Sequence, residues 1–279
     1  MSVLELLLPA FVAGLILTGM LSYLGLHVVE RGVIFVDLSL AQIAALGTTV
    51  GVLFGRDIHS TTAYLFSLGF TFLGAAIFAF SRVHRKTRIP QEAIIGIAYA
   101  VAAAAAILAM SKVSGETEHL KEMLVGNILS VSWAELGRIA VLYALIGLLH
   151  WLLRKKFLLI SLNESEAERQ GISIRFWDFL FYVSFGFVVT SSVPVAGVLL
   201  VFSYLIVPAV SAMFFSDRIG ARLAIGWAMG AIVTAIGVYL SYVFDLPTGA
   251  TIVTSLGAAL VVLAGLRGLL GKRSMVTNR

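Results

Sequence analysis

The chain is 279 residues long, with 59% apolar and only 13% charged residues, 26 glycines, 5 prolines and no cysteine. Soluble domains carry about 45–50% apolar and about 25% charged residues, and disordered chains combine low hydrophobicity with high net charge; the composition excludes both and indicates a protein embedded in a bilayer. Without cysteine there is no disulfide, Fe–S, thiolate-zinc or cysteine-nucleophile chemistry, and in a membrane protein the net charge of +5 reports orientation rather than a nucleic-acid partner.

A crossing helix needs about 20 apolar residues. Apolar runs bounded by charge, proline and glycine predict nine, over residues 3–27, 33–54, 61–81, 92–110, 133–153, 176–191, 195–215, 221–244 and 249–270. Ser191-Ser192-Val193-Pro194 interrupts the stretch holding the sixth and seventh, and Pro208 breaks its second half, so one of the two is expected to be short or broken. The fold class is therefore all-α: a polytopic membrane helix bundle of eight or nine transmembrane helices, forming one domain over residues 1–279. Met1-Ser2-Val3 carries no basic n-region, so no cleavable signal peptide is expected.

With nine crossings, the linkers near residues 28–32, 82–91, 154–175 and 216–220 share one side with the C-terminal tail. Sixteen of the 20 Lys and Arg residues fall there, leaving Arg56, Lys112, Lys121 and Arg138 opposite. Cytoplasmic loops are the basic ones, so the N-terminus is expected outside and the C-terminus inside.

Several chemistries lack their sequence signatures. Around Gly271-Lys272 the P-loop pattern fails, with Leu266 in place of its first glycine and Arg273 in place of its hydroxyl residue. The H-E-x-x-H, G-x-S-x-G and G-x-G-x-x-G patterns are absent as well.

Ionisable groups inside spans are costly and are functional candidates by default. Asp37 lies in the second span, within Phe35-Val36-Asp37-Leu38-Ser39-Leu40-Ala41-Gln42. At 100° per residue it shares a face with Leu40, Ala41 and Ala44, with Gln42 displaced to one side. Two readings stand: a structural hydrogen bond or ion pair near the inner interface, with Arg31 as a candidate partner, or a pathway lined by Asp37, Ser39 and Gln42. As metal ligands, Asp37 and Gln42 offer oxygen atoms suited to a hard cation, but two ligands are too few for a closed site.

His27, His59, His84, His119 and His150 do not pair at helical spacing and are expected at interfaces or in loops. In the exterior stretch Ser114 to Glu122, Glu116, Glu118 and His119 lie close together with Glu122, to gather cations at an outer mouth, to dock a partner, or as an ordinary solvated loop. In the long cytoplasmic linker, Ser161-Leu162-Asn163-Glu164 matches a capping box, with Asn163 as a competing N-cap, and Gly171 supplies a stop. A short polar helix from Glu164 through Ala167 and Glu168 to Gln170 is predicted between two spans on the basic side.

Four stretches resemble the permease subunits of the ABC importers that take up zinc, manganese or iron: Phe35 to Gly47, Gly126-Asn127-Ile128-Leu129-Ser130-Val131-Ser132, Asn163 to Ile172, and Pro194 to Pro208 followed by Leu240 to Val253. The resemblance extends over about residues 5–268 and implies a homodimer with the pathway at the two-fold axis, in a prokaryotic inner membrane. It further implies cytoplasmic ABC ATPase subunits, which hold the ATP, and an extracytoplasmic solute-binding protein; no cofactor is expected on this chain, nor any enzymatic activity. The segment with Asn163, Glu164, Ala167, Glu168 and Gly171 corresponds to the coupling helix that docks on the ATPase. The family's second-span motif, G-D-x-[LI]-[SA]-H-[AS], is altered: Leu38 stands at its aspartate, Gln42 at its histidine, and Asp37 at its glycine. An imidazole has become a neutral amide, so the resemblance carries the architecture but not zinc specificity. The alternative class is a stand-alone ion-coupled secondary transporter, which often shows inverted repeats; no convincing repeat is evident.

Overall fold

The computed structural model describes residues 3–54, 60–82, 90–111 and 128–276. Helices account for nearly all of these residues: α1 (Val3–Arg31), α2 (Val36–Leu53), α3 (Thr61–Phe80), α4 (Gln91–Met110), α5 (Trp133–Leu162), α6 (Glu164–Arg169), α7 (Ile174–Met213), α8 (Ile219–Phe244) and α9 (Thr248–Val276). A 3-10 turn at Ile128–Ser130 precedes α5. Of α1 to α9, all except α6 are long and apolar enough to cross a membrane, where a helix satisfies its own backbone groups without water. Local chemistry sets several starts. Ser60 accepts the Ala63 N–H at 3.1 Å to begin α3, and Ser132 and Glu135 form a reciprocal capping box at the start of α5.

The sixth and seventh predicted spans are a single helical run, α7, of 40 residues. A straight helix of that length would reach about 60 Å, twice the hydrocarbon thickness. It instead folds back. Along its first arm Asp178, Ser184 and Val188 meet Arg31, His150 and Tyr143 in turn, moving away from the end of the bundle where α1 stops. Along its second arm Tyr204 pairs with Thr234 and Pro208 packs near Gly226, moving back toward that end. The reversal falls at Gly197, whose φ of 76° and ψ of 156° are the one non-helical pair in the run; this region is accessible essentially to glycine alone. The expected break at Ser191–Pro194 is not where the helix stops, and Pro208 lies within continuous helix. Counting the two arms separately, the described residues run along the bundle nine times; the second arm, about 24 Å long, is the short one.

The basic end expected from the linkers is visible among the described residues, whereas Arg56, Lys112 and Lys121, expected opposite, lie outside them. Arg31, Arg82, Arg222 and Arg267 contact partners at one end of the bundle, which is its basic end. α5 outruns its predicted limit by continuing through exposed Arg154, Lys155 and Lys156 to Leu162. Such side chains keep their charged heads in water while their stems cover apolar surface.

α1 runs through the middle of the bundle, packed by α5, both arms of α7, and α8. Leu17, Leu21 and Leu24 of α1 are fully buried, as are Phe181, Tyr182, Phe185 and Tyr204 of α7. α2, α3 and α4 form a lateral group against the first arm of α7. Leu108 on α4, Leu152 on α5 and Val261 on α9 instead point outward, as lipid-facing residues should.

Candidate functional site

The C-terminus of α1 organises the basic end. Arg31 Nη1 donates to Asp178 Oδ1 at 2.8 Å, and Arg82, just beyond α3, donates to Asp178 Oδ2. Arg82 Nη2 also reaches Glu164 Oε2 of α6 at 3.1 Å. Two guanidinium groups thus balance two carboxylates. Asp178 has no solvent exposure and the Arg31 side chain has 1%, so the pairing is what makes burial of these charges tolerable. Burial alone would weaken the charge on Arg82, but the attraction of Asp178 and then Glu164 outweighs it and holds its pKa above the ordinary arginine value. Arg31 Nε donates to Ser161 Oγ at 2.8 Å, and its guanidinium sits 4.0 Å over the Phe181 ring. The neighbouring Glu30 pairs with Arg222, which donates to the Ser216 carbonyl at 2.7 Å. Adjacent residues of α1 therefore hold the first arm of α7 and the turn that follows its second arm.

α6 is the short helix that the linker sequence predicts. Asn163 is its N-cap, accepting the Glu166 N–H at 3.1 Å. Gly171, at φ 71°, closes it by donating to Glu168 O at 2.9 Å while Ile172 donates to Ala167 O at 3.0 Å, the paired bonds of a Schellman ending. Ser161 is not the cap. It belongs to α5, donates to Phe157 O at 2.9 Å and faces inward to Arg31 and His27. Ala167 is fully buried, whereas Glu168, Arg169 and Gln170 are exposed. One face of α6 is anchored to the bundle through Ala167 and Glu164, and the other is free.

The second-span candidates occupy three different environments. Asp37, in the first turn of α2, is 2% exposed, and its Oδ1 has no hydrogen-bond partner. Its expected partner Arg31 is engaged by Asp178 instead, because Asp178 lies on the helix packed beside α1. Glu92 of α4 is close to this turn, accepting the Phe35 N–H at 2.9 Å, and its Oε2 is also buried without a partner. Ser39 donates to Ile95 O at 3.1 Å and ties α2 to α4. Gln42 is half-buried. Among the described residues no group of three or more His, Asp and Glu side chains is placed to hold a metal ion. Glu116, Glu118 and His119 lie outside the described residues, as do Gly126 and Asn127.

Two histidines depart from expectation, being core residues. His27 is 2% and His150 1% exposed. His150 lies 2.8 Å from Ser184 Oγ and 3.2 Å from the Tyr23 hydroxyl, and its ring stacks on Phe157 at 4.5 Å. His27 Nδ1 lies 2.8 Å from Ser161 Oγ. Asp178 was the residue to find in sequence: it is an ionisable group inside the sixth apolar run, subject to the rule that singles out Asp37.

The described residues thus form a polytopic helical bundle with a polar helix tethered at its basic end. The sequence pattern of the ABC 3 transport family matches residues 3–266, and the chain belongs to that family. It is 29% identical over 197 residues to the manganese transport system membrane protein MntC of Listeria innocua, covering 68% of this chain and 70% of that one. With the chelated iron transport system membrane protein YfeC of Yersinia pestis, identity is 28% over 212 residues, or 74% and 72% of the two chains. The fold is also that of a chain in the structure of PsaBC from Streptococcus pneumoniae in complex with Fab, with a TM-score of 0.75, 22% identity and coverage of 92% and 90%. A second match, an inward-facing putative metal-chelate type ABC transporter, has a TM-score of 0.68 at 20% identity, covering 97% and 89%.

Proposed function

We propose that this chain is the permease of an ATP-driven importer for manganese, iron or a metal chelate, working as a homodimer in a prokaryotic inner membrane. An ABC ATPase docks on the exposed face of α6, and a solute-binding protein delivers substrate to the opposite end. The observation that carries this reading is α6 itself: a helix capped at both ends, rooted by Ala167 and by the Glu164–Arg82 pair, with Glu168 left free. The metals follow from what the similar proteins are named for transporting and from the chain's hard oxygen donors; the loss of histidine at Gln42 argues against zinc. Membership of the ABC 3 transport family favours this reading over a stand-alone secondary transporter.

The test is charge reversal on α6. Glu168→Lys is expected to weaken ATPase association and radiolabelled manganese or iron uptake while leaving thermal stability unchanged, because Glu168 makes no contact that the bundle needs. Glu164→Lys is expected to weaken association and uptake and also to lower thermal stability, since it places a cation against Arg82. If both variants retain full ATPase binding and uptake, α6 is not the dock.

A further inference from the structure

We propose that the groove between α1, α5 and α8 binds one anionic phospholipid of the leaflet at the basic end. It encloses about 560 Å³ between Gly19 and Tyr23 on α1, Gly147, Trp151 and Arg154 on α5, and Trp227 on α8. Its α8 wall, from Ile219 to Trp227, is about 12 Å long, and its α5 wall, from Tyr143 to Leu158, about 22 Å. The groove therefore starts at the basic end and closes near mid-bundle, a depth that suits the roughly 15 Å of one hydrocarbon leaflet. A Cβ added at Gly19, Gly147 or Gly220 would meet nothing within 4 Å, so three glycines leave the walls open.

Arg154 stands at the mouth. Its guanidinium lies 4.8 Å over the Trp151 ring, and its Nη1 donates to Trp151 O at 3.1 Å. Among the described residues no carboxylate pairs with it, which leaves its other donors for a phosphate. Lys155, Lys156 and Arg218 are exposed at the same end. Charge selects the occupant: a second copy of this chain in the same membrane orientation would bring its own basic end to this level, whereas an anionic headgroup complements it.

The full chain, with Trp133 and Trp177 changed to Phe so that Trp151 and Trp227 report, would be reconstituted in phosphatidylcholine vesicles and titrated with brominated lipids. Brominated phosphatidylglycerol is expected to reach half-quenching at about a 5-fold lower mole fraction than brominated phosphatidylcholine, the effect of about one interfacial arginine. Arg154→Gln should remove that preference, and Gly147→Phe should suppress the saturable quenching by either lipid. Equal quenching by the two lipids, a preference that survives Arg154→Gln, or indoles shielded from both lipids in a dimer would each overturn the assignment.

Discussion

Asp178→Ala should be among the most destabilising single changes in this chain, and the geometry says where the cost arises. Removing one partner of a buried ion pair costs about 3–5 kcal/mol, because the remaining charge is stranded. Arg82 would keep Glu164 at 3.1 Å and is 12% exposed. Arg31 would keep only the Ser161 hydroxyl and the face of Phe181, with its Nη2 already unpartnered. Nearly all of the penalty therefore falls on Arg31, and thermal unfolding in detergent, followed by tryptophan fluorescence, should show a loss on the order of 10 °C. Adding Arg31→Met should recover most of it, since a buried pair replaced by apolar side chains is often neutral; adding Arg82→Met should recover little. If Asp178→Ala stays within about 1 kcal/mol of the parent, or if the two second-site changes rescue equally, the apportioning of charge within the cluster is wrong.

Two further perturbations address the reversal in α7 and the second span. Gly197→Ala forces a side chain into a glycine-only backbone region and should cost about 1–3 kcal/mol, whereas Gly96→Ala, in open helical surroundings, should be neutral or stabilising by up to about 1 kcal/mol; equal melting temperatures for the two variants would contradict a fixed turn at Gly197. Asp37→Asn and Gln42→Ala should each lower metal uptake or change the preference between manganese and iron, and wild-type transport by both would remove them from the pathway.

Much of the bundle was legible because its signals are local. Apolar run lengths gave most helices to within a few residues, basic linkers gave the common end of Arg31, Arg82 and Arg222, and Asn163 with Gly171 bracketed α6. The break in α7 was misplaced for a physical reason. Serine and proline compete with helix in water, but in the bundle Ser191 donates to Phe187 O at 2.8 Å and Ser192 to the Val188 carbonyl, so their hydroxyls are satisfied without leaving the helix. Gly197 then supplies a turn that no propensity scale announces. The pairing at Asp178 was out of reach for another reason: its partners are 147 and 96 residues away in sequence, so only the packing of α1 and α3 against α7 selects them over Asp37. His27 and His150 were misjudged as interfacial because the aromatic wall of Tyr23, Phe157 and Phe181 that encloses them comes from three helices.

The same long-range contacts give the proposed coupling a physical route. A displacement of α6 would reach Arg82 through Glu164, and because Arg82 shares Asp178 with Arg31, it would bear on the first arm of α7 and the end of α1 together. Glu30, next to Arg31, links the same end of α1 through Arg222 to the turn after the second arm and to α8. Packed interiors and paired buried charges resist gradual deformation, which favours transfer between two discrete arrangements over a graded one. The reversal at Gly197 matters here: because both arms of α7 return to the basic end, one displaced helix can act on both passes at once. A straight helix in its place would expose only one end to the same movement.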